Sequence, residues 1–331
     1  MNDYPLVSVV IISYNQEEYI VECLESIFSQ TYERIELIVS DDCSTDNTWQ
    51  LIVQWELNHK ERFETVIIHQ NMENLGISGN LSNALRMAKG EYIKILGADD
   101  WLHPRAISQF TSFSVDSGAE WVVSDYIKIF EKNKAQQKIH PPKFYQWIFI
   151  QPPAAQLIQL LNYNYIAAPG VFMSCSLVKK YGYFEHGMKN LEDGPMWINL
   201  LNNGKSVKHL SEYLVYYRCH ENSVSNSSKP EAKHNHFLNS IEYLNTFILP
   251  NIPKWAHLLR WHTEVKKIQI RLLINTNPKY TRIRSLYKFV FILDPIFIMQ
   301  KFDSDKQHFN RYLISKYARR LERESKGRIV Q

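Results

Sequence analysis

The stretch EYIKILGADDWLHP, Glu91 to Pro104, is the segment on which the prediction of the fold depends. EYIKIL has the length and the apolar content of a buried strand, and two adjacent carboxylates, Asp99 and Asp100, follow it. Two like charges side by side repel each other, and burying them costs free energy unless a cation binds there. The stretch therefore predicts a strand that ends at a cation-binding edge of a sheet.

Three similar apolar runs precede this stretch, and segments of helical periodicity separate them. The runs are VSVVIIS (Val7–Ser13), IELIVSD (Ile35–Asp41) and TVIIHQ (Thr65–Gln70), and a later one is WVVSDYIKIF (Trp121–Phe130). Buried strands that alternate with amphipathic helices indicate the α/β class, with a mostly parallel central sheet covered by helices on both faces. The polar, proline-bearing stretch after Phe130 predicts a loop or an excursion outside the core, and the chain beyond about Glu231 predicts helices.

Four carboxylates follow two of the predicted strands. Asp41 and Asp42 end the second strand, and Asp99 and Asp100 follow the fourth. In open α/β sheets, ligands bind beyond the carboxyl ends of the strands. The four side chains therefore predict an acidic ligand-binding edge.

Length and composition set the outer limits of the prediction. The 331 residues suffice for one large domain or two. No apolar run reaches the roughly 18 to 20 residues that span a bilayer, and the N-terminus does not resemble a signal peptide. Four cysteines without paired spacing argue against a disulfide framework or a cysteine zinc site. We expect a cytoplasmic protein.

The charge is unevenly distributed along the chain. From Lys254 onward there are 18 lysines and arginines against 6 acidic residues, whereas the chain as a whole has a net charge of +4. TRIRSLYKFVFILDPIFIM (residues 281–299) places basic residues beside an apolar segment, which is typical of a helix on a membrane surface. A solvated helical face is the alternative. We expect no nucleic-acid partner, because no recognition motif accompanies the charge.

The glycines exclude several nucleotide-binding classes. Neither G-x-G nor G-x-x-x-x-G-K occurs, so the phosphate loops of dehydrogenases and P-loop proteins are absent. A nucleotidyltransferase would also need a glycine-rich loop near the N-terminus, where Tyr14, Asn15 and Gln16 stand. The other way to hold a diphosphate is a divalent metal on carboxylates.

Several motifs in order carry a resemblance to a known family. They are VSVVIISYNQEEYIVECLESIFSQTYERIELIVSDDCSTDNT, NLGISGNLSNALRMAKGEYIKILGADD, LED and YYRCHENSVS. Over roughly residues 5–225 the chain resembles the family 2 glycosyltransferases of the GT-A fold. The resemblance implies transfer of a sugar from a nucleoside diphosphate donor with inversion of the anomeric centre, and manganese or magnesium as cofactor.

The resemblance also implies roles for the acids. Asp42 is similar to the family's uracil contact, with Asp41 beside it. Asp99 resembles the last aspartate of the D-x-D motif, a metal ligand on the donor diphosphate, and Asp100 accompanies it at the donor. Gly97 stands where the first aspartate of that motif, often a ribose contact, occurs.

Three later residues complete the implied site. Asp193 resembles the catalytic base, with Glu192 as its neighbour. His220 resembles the residue that closes over the diphosphate or the metal, and Arg218 supports it as a donor-binding residue. A carboxylate base is required because an acceptor hydroxyl is a poor nucleophile until it loses its proton.

Each of these residues also has a purely structural interpretation. Adjacent aspartates often form turns or helix caps, Asp193 alone would be an ordinary loop acid, and His220 alone could be a hydrogen-bonded structural histidine. HNH at residues 234–236 resembles a metal motif, but without a partner spacing it predicts a solvated helix start.

The expected organisation follows from the resemblance and the charge. We expect a GT-A domain at 1–230, with a nucleotide-binding half at about 1–126 and an acceptor half at about 127–230. A basic helical region follows at 231–331.

The expected reaction moves a sugar of the glucose, galactose or N-acetylhexosamine type from a UDP-sugar to a polyprenyl diphosphate-linked glycan. The glycan would belong to bacterial O-antigen or capsule synthesis, at the inner face of the cell membrane. The alternatives are a transferase that uses a dTDP-sugar and a non-catalytic glycan-binding scaffold of the same fold.

Overall fold

A computed structural model of the chain describes residues 4–141, 143–181, 193–220, 230–274, 294, 296 and 308–329. The chain divides into two compact units. The first is drawn from Met1–Pro142, Ile166–Met196 and Val207–His220, and the second from Lys143–Tyr165, Trp197–Ser206 and Glu221–Gln331. The predicted division near residue 230 stays a prediction.

A nine-stranded sheet runs through the first unit. Its strands are β1 (Val7–Ser13), β2 (Ile35–Asp41), β3 (Thr65–Gln70), β4 (Tyr92–Gly97), β5 (Trp101–Leu102), β6 (Trp121–Phe130), β7 (Ala135–Ile139), β8 (Val171–Ser174) and β9 (Lys208–Cys219). The order is β3-β2-β1-β4-β8-β6-β9-β5, and β7 pairs with β6. The first three strands and β4 are parallel to one another, whereas antiparallel pairs enter the sheet from β8 onward.

Helices follow most of the strands. They are α1 (Ile20–Phe28), α2 (Thr48–His59), α3 (Gly76–Met87), α4 (Ala106–Ser117), α5 (Lys143–Phe149), α6 (Pro153–Asn162), α7 (Cys175–Tyr181), α8 (Asp193–Asn202), α9 (Pro230–Tyr243), α10 (Leu249–Asn251), α11 (His257–Ile274) and α12 (His308–Ile329). A π-helical turn, Leu244–Ile248, joins α9 to α10.

The packing of the first unit follows the sequence pattern. Val9 and Ile11 of β1 and Ile20 and Leu24 of α1 belong to one buried cluster. The apolar stripe of α1 thus covers one face of the sheet, as its helical spacing predicts. The predicted strands at 7–13, 35–41, 65–70 and 121–130 are confirmed with the same bounds.

The polar stretch after Phe130 differs from the prediction. It contains β7, which pairs antiparallel with β6 so that Tyr126 lies opposite Ile139. The stretch lies outside the core, as predicted, but residues 135–139 form a strand and not a loop, because polar side chains suit an exposed edge strand. On the other side of β6, its parallel pairing with β9 changes register on both sides of Asp125.

The second unit is helical. Within it α12 packs against α6, and α11 packs against α6 and α9. His262 of α11 is 2.6 Å from the carboxylate of Asp294, and both are buried. The helical prediction for the C-terminal region is confirmed for its described residues. His234, early in α9, is exposed. No helix in the described part of the chain is long and apolar enough to cross a membrane.

Candidate functional site

The carboxyl end of β1 lies between the two aspartate pairs. The backbone amide of Asp42 donates to the carbonyl of Ser13 at 2.9 Å, and that of Ala98 donates to Ile12 at 3.0 Å. Because β1 separates β2 from β4 and neighbouring strands are about 4.8 Å apart, the two strand ends are about 10 Å apart. The structure therefore places Asp41, Asp42, Asp99 and Asp100 at one edge of the sheet.

Asp41 is fully buried, and other groups of the protein donate hydrogen bonds to its carboxylate. It accepts hydrogen bonds from the hydroxyl of Ser13 at 3.0 Å, from the backbone amide of Ser44 at 2.9 Å and from the side chain of Gln70 at 3.0 Å. These bonds tie the ends of three adjacent strands to the turn after β2.

Asp42 stabilises the start of a helix. Its carboxylate accepts hydrogen bonds from the backbone amides of Leu75 at 2.9 Å and Gly76 at 2.8 Å, where α3 begins, and from Asn71 at 2.9 Å. The first amides of a helix have no partner within the helix, so a carboxylate supplied by another segment satisfies them. The donor-binding roles of Asp41 and Asp42 stay predictions.

Asp99 is the more accessible acid of the second pair. About 21% of its side chain is exposed, and its Oδ2 atom is 3.1 Å from Nε2 of His220. The buried His220 ring packs on the ring of Tyr19, with 4.9 Å between centroids. One carboxylate oxygen and one imidazole nitrogen therefore face each other at the edge of the sheet. The carboxylate oxygen suits manganese or magnesium, and an imidazole nitrogen is a common ligand of transition ions, so this pair could hold a divalent ion.

Asp100 is buried, and its Oδ1 atom accepts a hydrogen bond from the backbone amide of Arg218 at 2.8 Å. Burial, followed by the neighbouring Asp99 carboxylate, raises the pKa of Asp100 well above its usual range. The adjacent aspartates thus occupy different environments. Asp100 is buried and has a raised pKa, whereas Asp99 meets solvent.

A buried lysine accompanies this pair. The Nζ atom of Lys94 on β4 donates to the carbonyls of Ile95 at 2.9 Å and Pro169 at 2.5 Å. Burial lowers the pKa of Lys94 to about 7, and the charge of Asp100 opposes that shift.

Arg218 links the acidic loop after β4, which contains Asp99 and Asp100, to other segments of the first unit. Its Nε atom donates to the backbone carbonyl of Asp99 at 2.8 Å, and its guanidinium pairs with Glu22 and, at 3.3 Å, with Glu131. These bonds hold the backbone of the metal-ligand candidate in place. The predicted donor contact of Arg218 stays a prediction.

Two aromatic rings enclose the same guanidinium. The ring centroids of Tyr19 and Trp101 are 4.6 Å and 4.5 Å from its central carbon. The Tyr19 hydroxyl also donates to Glu131 at 2.9 Å. Cation–π contacts with two rings restrict the position of the guanidinium. Only about 7% of the Arg218 side chain is exposed.

Gly97 leaves space for the Asp99 carboxylate. A Cβ atom at residue 97 would lie 2.8 Å from Oδ1 of Asp99, closer than nonbonded atoms approach. The glycine that replaces the first acid of the D-x-D pattern therefore permits the observed position of Asp99.

Asp193 is the first residue of α8, and its Oδ1 atom accepts a hydrogen bond from the backbone amide of Gly194 at 2.7 Å. The helix thus begins at Asp193 itself, and the structural alternative of an ordinary loop acid does not describe it. Pro195 fits the first turn of a helix, where a missing amide hydrogen costs nothing. Glu192 lies outside the described residues, and the role of Asp193 as base stays a prediction.

Sequence reasoning missed the residues around Arg218. Trp101 directly follows the acid pair and Glu131 directly follows β6, so their positions next to predicted strand ends were a usable signal. Glu22 and Tyr19 belong to the start of α1, where nothing in the sequence distinguishes them from a solvated helix start.

Solved structures that contain nucleotide sugars have the same fold. S. aureus TarS 1-349 in complex with UDP-GlcNAc has a TM-score of 0.56 at 20% identity, with 97% of this chain and 92% of that one covered. Mannosyltransferase PcManGT from Pyrobaculum calidifontis in complex with GDP-Man and Mn2+ has a TM-score of 0.57 at 16% identity, covering 95% and 86%. The predicted GT-A fold with a helical C-terminal region is confirmed.

The sequence comparisons show to which family of glycosyltransferases the chain belongs. The family described as Glycosyl transferase family 2 matches residues 8–182. The Escherichia coli protein UDP-Glc:alpha-D-GlcNAc-diphosphoundecaprenol beta-1,3-glucosyltransferase WfaP is 31% identical over 237 residues, which cover 71% of this chain and 86% of that protein. The chain belongs to glycosyltransferase family 2.

Proposed function

We propose that this family 2 glycosyltransferase moves a sugar from a UDP-sugar to a polyprenyl diphosphate-linked glycan of a bacterial surface polysaccharide, with inversion. The observation that carries the proposal is the Asp99–His220 pair at the carboxyl edge of the sheet, 3.1 Å apart and held by Arg218. A non-catalytic glycan-binding scaffold would have no need of such a pair.

The donor assignment rests on the relatives. WfaP is named for a UDP-glucose donor, and the TarS structure contains UDP-GlcNAc. We therefore propose a UDP-sugar of the glucose, galactose or N-acetylhexosamine type, with a dTDP-sugar as the alternative. Asp41 and Asp42, at the end of β2, would shape the part of the site that receives the nucleobase of the donor.

Asp99 and His220 would hold a manganese or magnesium ion. When bound, such an ion neutralises the charge that develops on the departing diphosphate. The chain's own contribution is to position these ligands. The Nε atom of Arg218 donates to the backbone carbonyl of Asp99, and its backbone amide donates to the carboxylate of Asp100.

Asp193 is the proposed general base. Its carboxylate would accept the proton of the acceptor hydroxyl as that oxygen attacks the anomeric carbon. A single base suffices when attack comes from the face opposite the leaving group, which inverts the centre.

The acceptor assignment rests on WfaP and on the second unit. WfaP is named for a diphosphoundecaprenol-linked acceptor. One face of α11 exposes Leu258, Trp261 and Ile268, with Trp261 58% exposed. Such a face suits contact with the headgroup region of a membrane. We propose a peripheral position on the inner face of the cell membrane. Apart from Asp294 and Ile296, the basic segment at 281–299 lies outside the described residues.

A transfer assay tests the proposed function. The protein is incubated with manganese, a panel of UDP- and dTDP-sugars and polyprenyl diphosphate-linked N-acetylglucosamine, and the lipid product is analysed by mass spectrometry and NMR. We expect transfer from one UDP-sugar with inverted anomeric configuration, and no transfer by Asp99→Ala. Donor turnover confined to dTDP-sugars would favour the alternative donor. Glycan binding without turnover of any donor would favour the scaffold.

Vesicle sedimentation tests the membrane contact separately. Replacing Arg282, Arg284 and Lys288 by glutamine should weaken binding to anionic vesicles at least about tenfold, since each basic residue near the surface contributes about 1 kcal/mol. Replacing Arg319 and Arg320, exposed on α12, is the matched control. Equal binding by all three proteins would contradict the contact.

A further inference from the structure

A second set of side chains of the types that bind metals lies around Asp125 of β6, in the first unit. Asp125 is buried, with 1% of its side chain exposed. Its Oδ1 atom is 2.6 Å from Nε2 of His209, and its Oδ2 atom contacts Nδ1 of His140. The three ligand atoms all lie within 4.8 Å of one another. This cluster has no part in the proposed transfer reaction.

The sheet brings the three residues together from three strands. His140 directly follows Ile139, the β7 residue opposite Tyr126, so it lies beside Asp125. His209 on β9 lies opposite Val123, two residues before Asp125. Residues two apart on a strand share a face. One central carboxylate is therefore flanked by an imidazole from each neighbouring strand.

The cluster is separate from the donor edge. Glu131, which pairs with Arg218, directly follows β6 and is six residues beyond Asp125. At about 3.3 Å per residue, the two lie roughly 20 Å apart along the strand. An ion bound at Asp125 would therefore not touch Asp99 or His220.

The chemistry of the donor set indicates the kind of ion. A carboxylate that is 1% exposed is costly to bury without a counter-charge or hydrogen-bond donors. One carboxylate and two imidazoles form a set that binds zinc and similar transition ions, whereas magnesium and calcium prefer oxygen alone. The side chain of His140 is 36% exposed, which leaves a route for the ion and for water as a further ligand.

We propose that Asp125, His140 and His209 bind one divalent transition-metal ion of the zinc class. The bound ion ties β7 and β9 to β6 at the point where the β6–β9 pairing changes register. Because the ligands converge only in the folded sheet, binding stabilises the folded protein by mass action.

The test is a zinc titration of full-length, untagged, chelator-treated protein in which Asp99→Ala has removed the donor-edge ligand. Calorimetry with zinc alone should show one site per chain, and cobalt should give the visible absorption of an imidazole-ligated ion. Adding His140→Gln should weaken binding by at least about tenfold, because loss of even an indirect ligand contact has that effect. His140 is suited to the substitution because it is partly exposed.

The matched control is His234→Gln, which removes an exposed histidine of the HNH motif on α9 and should leave binding unchanged. Zinc should also raise the thermal midpoint of the Asp99→Ala protein, and not that of the Asp99→Ala/His140→Gln protein. The proposal is overturned if Asp99→Ala binds no zinc, if His140→Gln leaves the affinity unchanged, or if His234→Gln abolishes binding. A metal-free hydrogen-bonded triad would give the first of these results.

Discussion

The two aspartate pairs at the edge of the sheet have the same sequence and opposite physical situations. Asp41 and Asp42 are both buried, and backbone amides and neighbouring side chains occupy their carboxylates. Asp99 meets solvent and His220, and Asp100 is buried beside it with a raised pKa. The first pair is engaged in holding the turn after β2 and the start of α3. The second pair leaves a carboxylate available to a ligand.

The largest expected effect comes from removing the available carboxylate. Asp99→Ala should abolish transfer and manganese-dependent donor binding together, because a proposed metal ligand is lost. Its stability should change little, since the side chain is partly exposed and sits beside a like charge. Calorimetry with UDP and manganese provides the measurement. Equal manganese-dependent UDP affinity in the wild type and the variant would assign the metal to other residues.

The next largest effect separates chemistry from binding. Asp193→Asn should reduce kcat by about a hundredfold or more, the usual scale for loss of a general base. Donor affinity should be retained, because Asp99 and His220 are intact. Steady-state kinetics measures kcat, and UDP calorimetry on the same protein measures donor affinity. Turnover within a few-fold of the wild type in Asp193→Asn, together with a large loss in Glu192→Gln, would identify Glu192 as the base.

A stability effect is expected from the other aspartate pair. Asp42→Asn should lower the free energy of unfolding by about 1–3 kcal/mol, because an amide cannot accept from all three donors that the carboxylate satisfies. Urea unfolding measures this loss of free energy. Asp99→Ala, which removes an acid of the other pair, is measured for comparison. If Asp99→Ala were the more destabilised of the two, the contrast between the pairs would be wrong.

The smallest effect concerns the pH dependence of stability. Lys94 has a pKa of about 7 in the folded protein against an ordinary value of 10.5. Between these values the unfolded chain binds the proton more strongly, so the contribution of Lys94 to stability rises with pH through this window. The penalty for its charge is fully present below pH 7.

Lys94→Met lacks this titration. The difference in unfolding free energy, wild type minus Lys94→Met, should therefore increase from pH 7 toward pH 10, as measured by urea unfolding at several pH values. Subtracting the free energy of the variant removes the contributions of the other titrating groups, which both proteins share. A pH-independent difference would show that Lys94 does not titrate in this range.

The first half of the fold could be predicted from sequence because its signals are local. Each strand from β1 to β3 is an apolar run followed by a helix, β4 is a further apolar run, and parallel order then places Asp41 and Asp99 at one edge. The later strands have no such regularity. β7 is polar and exposed, and β8 is four residues long and antiparallel, so neither has a periodicity to detect.

Side-chain clusters between distant segments could not be predicted in the same way. Asp125 meets His140 across 15 residues and His209 across 84, and only the pairing of β6 with β7 and β9 brings them together. The environment of Arg218 is a similar case, because its partner Glu22 is 196 residues away. Family resemblance identified Arg218 and His220, but not the residues that enclose them.

The partners of Arg218 have a consequence for the order in which the protein acquires its site. The acidic loop after β4 is made early during synthesis on the ribosome, whereas Arg218 belongs to the last strand of the sheet. Until that strand has left the exit tunnel and paired with β6, Asp100 lacks the amide that it accepts from, and Glu22 and Glu131 lack their shared cation. The donor edge is therefore completed only when the final strand is added. A nascent chain ending before residue 218 would contain most of the sheet and no finished site.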